Sequence, residues 1–471
     1  MWKLIQVLKH AVRLHVKSAG FTIVALATLS IGIAASTIVF SAVNAVLLKP
    51  LPYPEPQRIV IPWRLAPKDA NIGYNEIPWG AINFQYIEKL GSFESVAAFK
   101  SNSFNLTGSG EPAQLEGFRV SSGFFHTLGI TPLLGRPFVE SEDRPGSANE
   151  VILSYQLWQS RFHGDRWILE RVIDLNGAPY SVIGVMPQGF EFPRGEEMPG
   201  SFDFPRRAQL WVPLALPAAP KPGEPDDLAV IGRLRPGVSV ATAQAEMNLF
   251  TLTMERAFPD SKGWVNSRVT GLDEQVTGGT RNPLLLILGS AGVLLLIACV
   301  NVANLLLTRS LGRRHEFALR AALGAGRSSL VRQLLAESTL LSLSGGVAGV
   351  IMAEIGIHLV KAFGPSNIPR LHEIALDWHV LAFAFTASLF CGIFFGLAPA
   401  ATLRFNDLAR PLREGGRGGT ANSASARLRG LFPAAQIALA FVLVIASGLL
   451  VRTFGCLLAV DPGIHAERGW E

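Results

Sequence analysis

LLLILGSAGVLLLIACVNVANLLLTRSLGRRHEFALR, Leu284–Arg320, changes character after Leu307. Its first part, Leu284 to Leu307, carries no charge, whereas the remainder holds Arg309, Arg313, Arg314, Glu316 and Arg320. A helix rises about 1.5 Å per residue and a hydrocarbon core is about 30 Å thick, so roughly 20 apolar residues span it. The first part reads as a membrane span. A polar, helix-patterned segment follows it, and the chain turns apolar again near Thr339.

The same arithmetic applied outward finds five spans, over residues 21–48, 284–307, 339–363, 379–403 and 431–460. At 49% hydrophobic and 17% charged residues in 471, with a mean hydropathy of +0.31, the chain is too apolar for an ordinary soluble protein. The first run is about twice the length of a signal-peptide core, which argues against cleavage. The formal charge of +6 does not point to nucleic acid, because the basic residues gather in short flanks of the apolar runs. Lys3, Lys9, Arg13 and Lys17 precede the first span; Arg309 to Arg332 separate the second and third; Arg404 to Arg429 separate the fourth and fifth. Residues 1–20, 308–338 and 404–430 are therefore expected in the cytoplasm, the last as a Gly/Ser/Arg-rich linker. The short connection 364–378 and the large segment 49–282 fall outside, as does the tail 461–471. The bilayer is one partner.

Residues 49–282 have the composition of a soluble domain. Prolines in KPLPYPEPQRIV stop the first helix and favour an extended exit. VILSY, RVIDLNGAPYSVIGVMP and DLAVIGRLRPG read as strands, with Asn176-Gly177 as a hairpin turn, and VSVATAQAEMNLFTLTMERAF has helical spacing. An α+β domain follows, with two lobes suggested by the insertion GEEMPGSFDFPRRAQ. Cys299, Cys391 and Cys456 all lie in apolar runs and read as small apolar side chains, not as a disulfide framework.

No motif for a catalytic site, metal or cofactor is complete. Leu343-Ser344-Gly345-Gly346 resembles the opening of the ATPase signature of ABC proteins, but it lies inside a span and the chain has no phosphate-binding GxxxxGK[ST] loop. Gly345, Gly349, Gly392 and Gly396 read better as close helix packing in lipid. His315-Glu316 and His372-Glu373 lack the second histidine of a zinc-protease motif, Leu319 and Leu376 standing at the fifth positions. Glu354 and His358, four apart on the third span, suit either a proton path or, more simply, a polar outer end.

The segment after the second span carries the most information. On a helix Arg313, Glu316 and Arg320 share a face, while Phe317, Ala321 and Gly324 form an adjacent small, apolar strip. Gly324-Ala325-Gly326 breaks that helix, and Ser328 is placed to cap the next. Periodicity alone fits a helix lying on lipid as well as one docking into a partner's groove.

RRHEFALRAALGAGRSSLVRQLLAESTLLSLSGGVAG, Arg313 onward, resembles the loop between the second and third spans of FtsX-like permeases of the MacB type of ABC transporter. VSSGFFHTLGITPLLGRPF, VILSYQLWQSRFHGD, DLNGAPYSVIGVMPQGFEFP and GRLRPGVSVATAQAEM are similar to that family's periplasmic core domain. AGFTIVALATLSIGIAASTIVFSAVNAVLLKPLPYPEPQRIV is similar to the first span of duplicated acidobacterial permeases. The resemblance implies a four-span α-helical bundle with a large α+β extracytoplasmic domain between spans one and two, in the bacterial inner membrane. It also implies a separate cytoplasmic ABC ATPase as partner, docked on a coupling helix formed by Arg313, Arg314, Glu316, Phe317, Arg320, Ala321, Gly324 and Ala325. Such permeases relay ATP-driven closure to the outer domain, a process called mechanotransmission. The fifth span and AVDPGIHAERGW look like the truncated start of a second repeat, so a second copy of the chain or a separate permease half is a further expected partner. A membrane-anchored interaction or sensory scaffold without ATPase coupling is the rival expectation.

Overall fold

The computed structural model describes residues 18–67, 70, 74–108, 110–147, 149–195, 198–199, 202, 204–221, 225–259, 264, 266–313, 316, 319, 326–363 and 370–402, with scattered positions between 434 and 452. The described residues fall into two compact units, one within residues 1–49 and 280–464 and the other within 50–279.

The first unit is a helical bundle. Helix α1 (Ala19–Val43) ends in a π turn, Asn44–Leu48, closed by the Lys49 N–H on the Asn44 carbonyl at 2.8 Å. Numbering the helices of both units in chain order, the other three spans are α6 (Leu272–Gly312), α7 (Arg327–Phe363) and α8 (Trp378–Thr402). These four are long and apolar enough to cross a membrane. Most of the expected fifth span, 431–460, lies outside the described residues, as do Cys456 and the linker 404–430.

Two of these helices begin earlier than their apolar runs. Helix α6 starts at Leu272, well before Leu284, and passes through Pro283. Its first turn holds Asp273 and Glu274, suited to the positive end of a helix dipole, which is why a polar, Gly-containing stretch still folds as helix. Helix α7 starts at Arg327, so Gly326, not Ser328, stands at the capping position, its carbonyl accepting from Ser329 N–H at 2.9 Å.

Glycine sets the spacing of the bundle. A Cβ at Gly345 would lie 2.9 Å from Leu29 Cβ, one at Gly349 3.0 Å from Ile33 Cβ, and one at Gly392 2.8 Å from Thr339 Cα. The backbones of α1, α7 and α8 therefore approach too closely for any side chain at these points, as expected where lipid supplies no hydrophobic drive between helices. Hydroxyls add interhelical bonds: Ser30 Oγ donates to Gly345 O at 3.2 Å, Ser36 Oγ to Ala291 O at 3.2 Å, and Ser342 Oγ to Ser388 O at 2.6 Å. Cys299 and Cys391 meet in the bundle core with their sulfurs 3.2 Å apart. Beyond α7, the buried Arg370 donates to Lys49 O and to Glu373, both at 2.7 Å, and so ties the connection between α7 and α8 to the end of the first span.

The second unit is an α+β domain on one mixed sheet with strand order β11-β1-β10-β3-β4-β9-β6-β8-β5, β2 pairing with β1 and β7 with β3 and β8. The strands are β1 Ile59–Leu65, β2 Glu76–Ile77, β3 Phe93–Thr107, β4 Ala113–Val120, β5 Leu134–Gly135, β6 Glu150–Leu153, β7 Val172–Leu175, β8 Ala178–Val185, β9 Leu210–Pro213, β10 Ala229–Leu234 and β11 Ser267–Gly271. Pairing is antiparallel except for β4 with β9 and β6 with β8. Its helices are α2 (Ala81–Ile87), α3 (Phe124–Leu128), α4 (Tyr155–Phe162) and α5 (Val240–Ala257).

The 15-residue β3 organises the domain. Side chains alternate across a strand, so Val96 and Ala98 join one apolar cluster with Phe84, Met247 and Phe250, while Ala97 and Phe99 join another with Trp63, Phe118, Phe124 and Trp211. Further along, Phe104 and Leu106 enter a third cluster with Leu157, Trp158 and Val182. One strand thus serves three cores. Asn176 and Gly177 both have positive φ, 55° and 78°, and form the two-residue turn between β7 and β8. VILSY is strand only to Leu153. Ser154 Oγ accepts from Leu157 N–H at 3.1 Å and starts α4, so Tyr155 is helical.

Candidate coupling site

Helices α1, α7 and α8 meet α6 where it leaves the apolar part of the chain. The Arg309 guanidinium stacks over the Phe21 ring, 4.7 Å from its centre, linking the second span to the first. One turn on, Arg313 makes a forked pair with Glu316, Nε to Oε2 at 2.8 Å and Nη2 to Oε1 at 3.3 Å. Its remaining arm, Nη1, donates to Glu337 Oε2 on α7 at 3.0 Å. Glu337 Oε1 accepts from Gln333 Nε2 at 2.9 Å, and the neighbouring Ser338 Oγ donates to Gly392 O on α8 at 2.7 Å.

Glu337 is only 7% exposed. A carboxylate so placed is costly unless paired, and a guanidinium can serve two carboxylates because its donors point in fixed, separate directions. Burial pulls the Arg313 pKa down, but the bonds and charges of Glu316 and Glu337 outweigh it, and the net direction is up. Arg313 stays charged. Beside the pair lies a cavity of about 20 Å3 lined by Arg309, Ser310, Arg313, Glu337 and Ser338, close to the room one water needs.

Of the residues singled out from sequence, Arg313 and Glu316 are brought together here. Arg314, Phe317, Arg320, Ala321, Gly324 and Ala325 lie outside the described residues. Glu337, Gln333, Arg309 and Phe21 were not anticipated. Glu337 had a usable signal, since a lone acid bordering an apolar run calls for a cationic partner. Glu354 and His358 form a 3.2 Å pair on a face of α7 turned away from the described bundle, their side chains 50% and 72% exposed. Gly345 and Gly346 sit within α7 as packing residues. His315 is outside the described residues, and Glu373 is engaged by Arg370 and by Lys49 at 3.7 Å.

Residues 22–249 match the model of the MacB-like periplasmic core domain and residues 288–408 that of the FtsX-like permease C-terminal region, in the order the two units require. The chain is a MacB/FtsX-like ABC transporter permease. Among its relatives, the macrolide export ATP-binding/permease protein MacB of Salmonella typhi is 26% identical over 60% of this chain and 40% of its own length. The pyoverdine export ATP-binding/permease protein PvdT of Pseudomonas syringae pv. tomato is 26% identical over 57% of this chain and 38% of its own. The permease therefore spans about two fifths of the curated relatives it matches. The periplasmic region of MacB from Actinobacillus actinomycetemcomitans aligns with a TM-score of 0.35 at 14% identity, covering 48% of this chain and 93% of that one. The permease is a multi-pass inner-membrane protein with its large α+β domain on the periplasmic or outer side.

Proposed function

We propose that this permease couples ATP hydrolysis by a separate cytoplasmic ATPase to movement of its outer domain, and that the segment from Arg313 to Gly326 is the docking element. The observation that carries this reading is the Arg313 bridge. A guanidinium held by Glu316 within the segment and by Glu337 on α7 gives any push on that segment a rigid route into the third span, and Ser338 extends the route to the fourth. Arg314 and Arg320 would meet the ATPase electrostatically, while Phe317, Ala321, Gly324 and Ala325 would enter its groove.

Helix α6 supports the relay. Within the bundle its turns place Val302 and Ala303 in the apolar core, and it ends at the Arg309 and Arg313 contacts. A helix of 41 residues is about 60 Å long, well beyond a hydrocarbon core. The work would serve efflux or release of a substrate on the outer side. The named cargoes of the relatives, macrolides and pyoverdine, are chemically unlike and favour no choice.

The test is co-purification of an ABC ATPase, first captured from membranes with the unaltered permease. Phe317→Asp or Gly324→Arg should abolish association while the protein still inserts in the membrane. Undiminished association of both variants would overturn the docking assignment.

A further inference from the structure

The loop of residues 136–147, between β5 and β6 of the outer domain, is fastened by one carboxylate. Glu142 Oε2 accepts from the Val139 N–H at 2.9 Å and from Arg136 Nη1 at 3.0 Å, and Glu142 Oε1 lies 2.6 Å from Arg136 Nη2. The Glu142 carbonyl accepts from Ser147 Oγ at 2.5 Å, closing the loop on itself. Glu150, the first residue of β6, approaches the same Arg136 Nη2 with Oε1 at 3.5 Å, and its Oε2 is buried without a hydrogen-bonding partner. The two carboxyl side chains are 11% and 12% exposed. Two largely buried carboxylates beside one half-exposed guanidinium leave a net negative charge with little water around it, and a single proton between them removes it.

We propose that Glu142 and Glu150 share one proton and act as a pH-responsive latch that holds the 136–147 loop closed and releases it as the outer compartment becomes less acidic.

The surrounding charges are consistent with that assignment. From the loop, Arg136 and Glu142 face Glu150. Its partner across β8 is Ser181, and the β9 residues paired with β6 are Leu210 and Trp211, none of them charged. On the loop's other side Asp143 accepts from Ser122 N–H at 2.8 Å and Ala215 N–H at 2.7 Å, and Glu88 feels Lys89, Asp143 and Glu140, the last of which pairs with Arg144 at 3.2 Å. Burial first, then its bond to and repulsion by Glu142, push the Glu150 carboxyl up to about 7, while hydrogen bonds from Arg136 and Val139 hold Glu142 below its ordinary value despite burial. The acid is therefore Glu150 and the acceptor Glu142.

The sign follows. An acid whose pKa is raised in the closed state stabilises that state fully below its free value of 4.5, and the stabilisation is lost as pH rises towards about 7. One proton released on opening makes the opening constant rise about tenfold per pH unit through that window and level off above it.

Amide hydrogen exchange of the full-length protein in lipid nanodiscs tests this. Protection factors over residues 136–147, corrected for the chemical exchange rate, should fall about tenfold per pH unit between about pH 5.5 and about pH 7 and then flatten. Glu150→Gln, whose amide can donate to Glu142 as the protonated acid does, should keep the loop protected with no such slope at the upper end of the window. Glu142→Gln removes the neighbouring charge and should move the slope to lower pH. A flat profile in the unaltered protein, or an unchanged slope in either substitution, would overturn the latch. The readout needs no ATPase, so it stands or falls independently of the coupling proposal.

Discussion

Arg313 Nη1 lies 3.0 Å from Glu337 Oε2, across the gap between the end of the second span and the start of the third. The pair joins residues 24 apart in sequence through a contact that is nearly closed to solvent. Removing one partner from a buried ion pair costs far more than the pair contributes, because the other charge is stranded. Glu337→Ala should therefore lower stability by about 3 kcal/mol, and Glu337→Gln, which keeps the Gln333 contact and the shape, by appreciably less. Thermal unfolding in detergent, followed by tryptophan fluorescence, would show the ordering; equal losses would mean that the charge alone, and neither the Gln333 contact nor the shape, holds this junction.

Close approach in the bundle predicts a contrast between glycines. Gly345→Leu and Gly349→Val force side chains into space held by Leu29 and Ile33, and overpacking of this kind costs about 1–3 kcal/mol or prevents assembly. Gly289→Ala, on α6 with nothing within 4 Å of the added carbon, should leave the monodisperse yield from detergent unchanged. A size-exclusion profile of the three variants decides the point.

The β7–β8 turn gives a local prediction. Both of its residues have positive φ, and Asn176 Oδ1 also accepts from Asn105 N–H at 2.8 Å. Gly177→Val combines a β-branched side chain with φ near 78° and should cost about 1–3 kcal/mol, whereas Asn176→Asp should cost less. Denaturant unfolding of the membrane-reconstituted protein would rank them.

Acid should weaken another junction of the outer domain, with a sign opposite to that of the Glu150 latch. Burial alone would favour neutral Glu246, but hydrogen bonds from Ser92 and from Gly91 N–H, at 2.8 and 2.7 Å to the two backbone donors, outweigh it and hold the carboxyl below 4.5. A depressed acid stabilises the fold above its unfolded pKa, and that contribution is lost as pH falls through the folded value. Glu246→Gln should thus cost about 1 kcal/mol at neutral pH, allowing for solvent screening, and show a shallower loss on acidification below about pH 4.5. Melting temperatures of both proteins across that range provide the check.

Much of this architecture was legible because lipid imposes a coarse, one-dimensional rule: Leu284 to Leu307 contains no charge over a length that suffices to cross. The true start of α6 at Leu272 was hidden, since LDEQVTGGTRNP combines Gly, Thr and Pro in a pattern that reads as a domain edge. Strand β3 escaped notice because both of its faces are buried in its first half, so FESVAAF shows an apolar run and no alternation. At the candidate site the i, i+3 relation of Arg313 and Glu316 could be read directly. Glu337 could not be paired from spacing, because its partner is set by how α6 and α7 meet.

The glycine contacts between α1 and α7 restrict how the first span can travel. Leu29 and Ile33 rest in two recesses four residues apart, Gly345 and Gly349, so an axial slip of half a turn would drive both side chains against filled positions. The next register in which either side chain again meets a recess lies four residues, about 6 Å, along the helix. Small axial displacements are thus resisted, and the first span must either advance in discrete ratchet steps or tilt together with the third as one rigid stave.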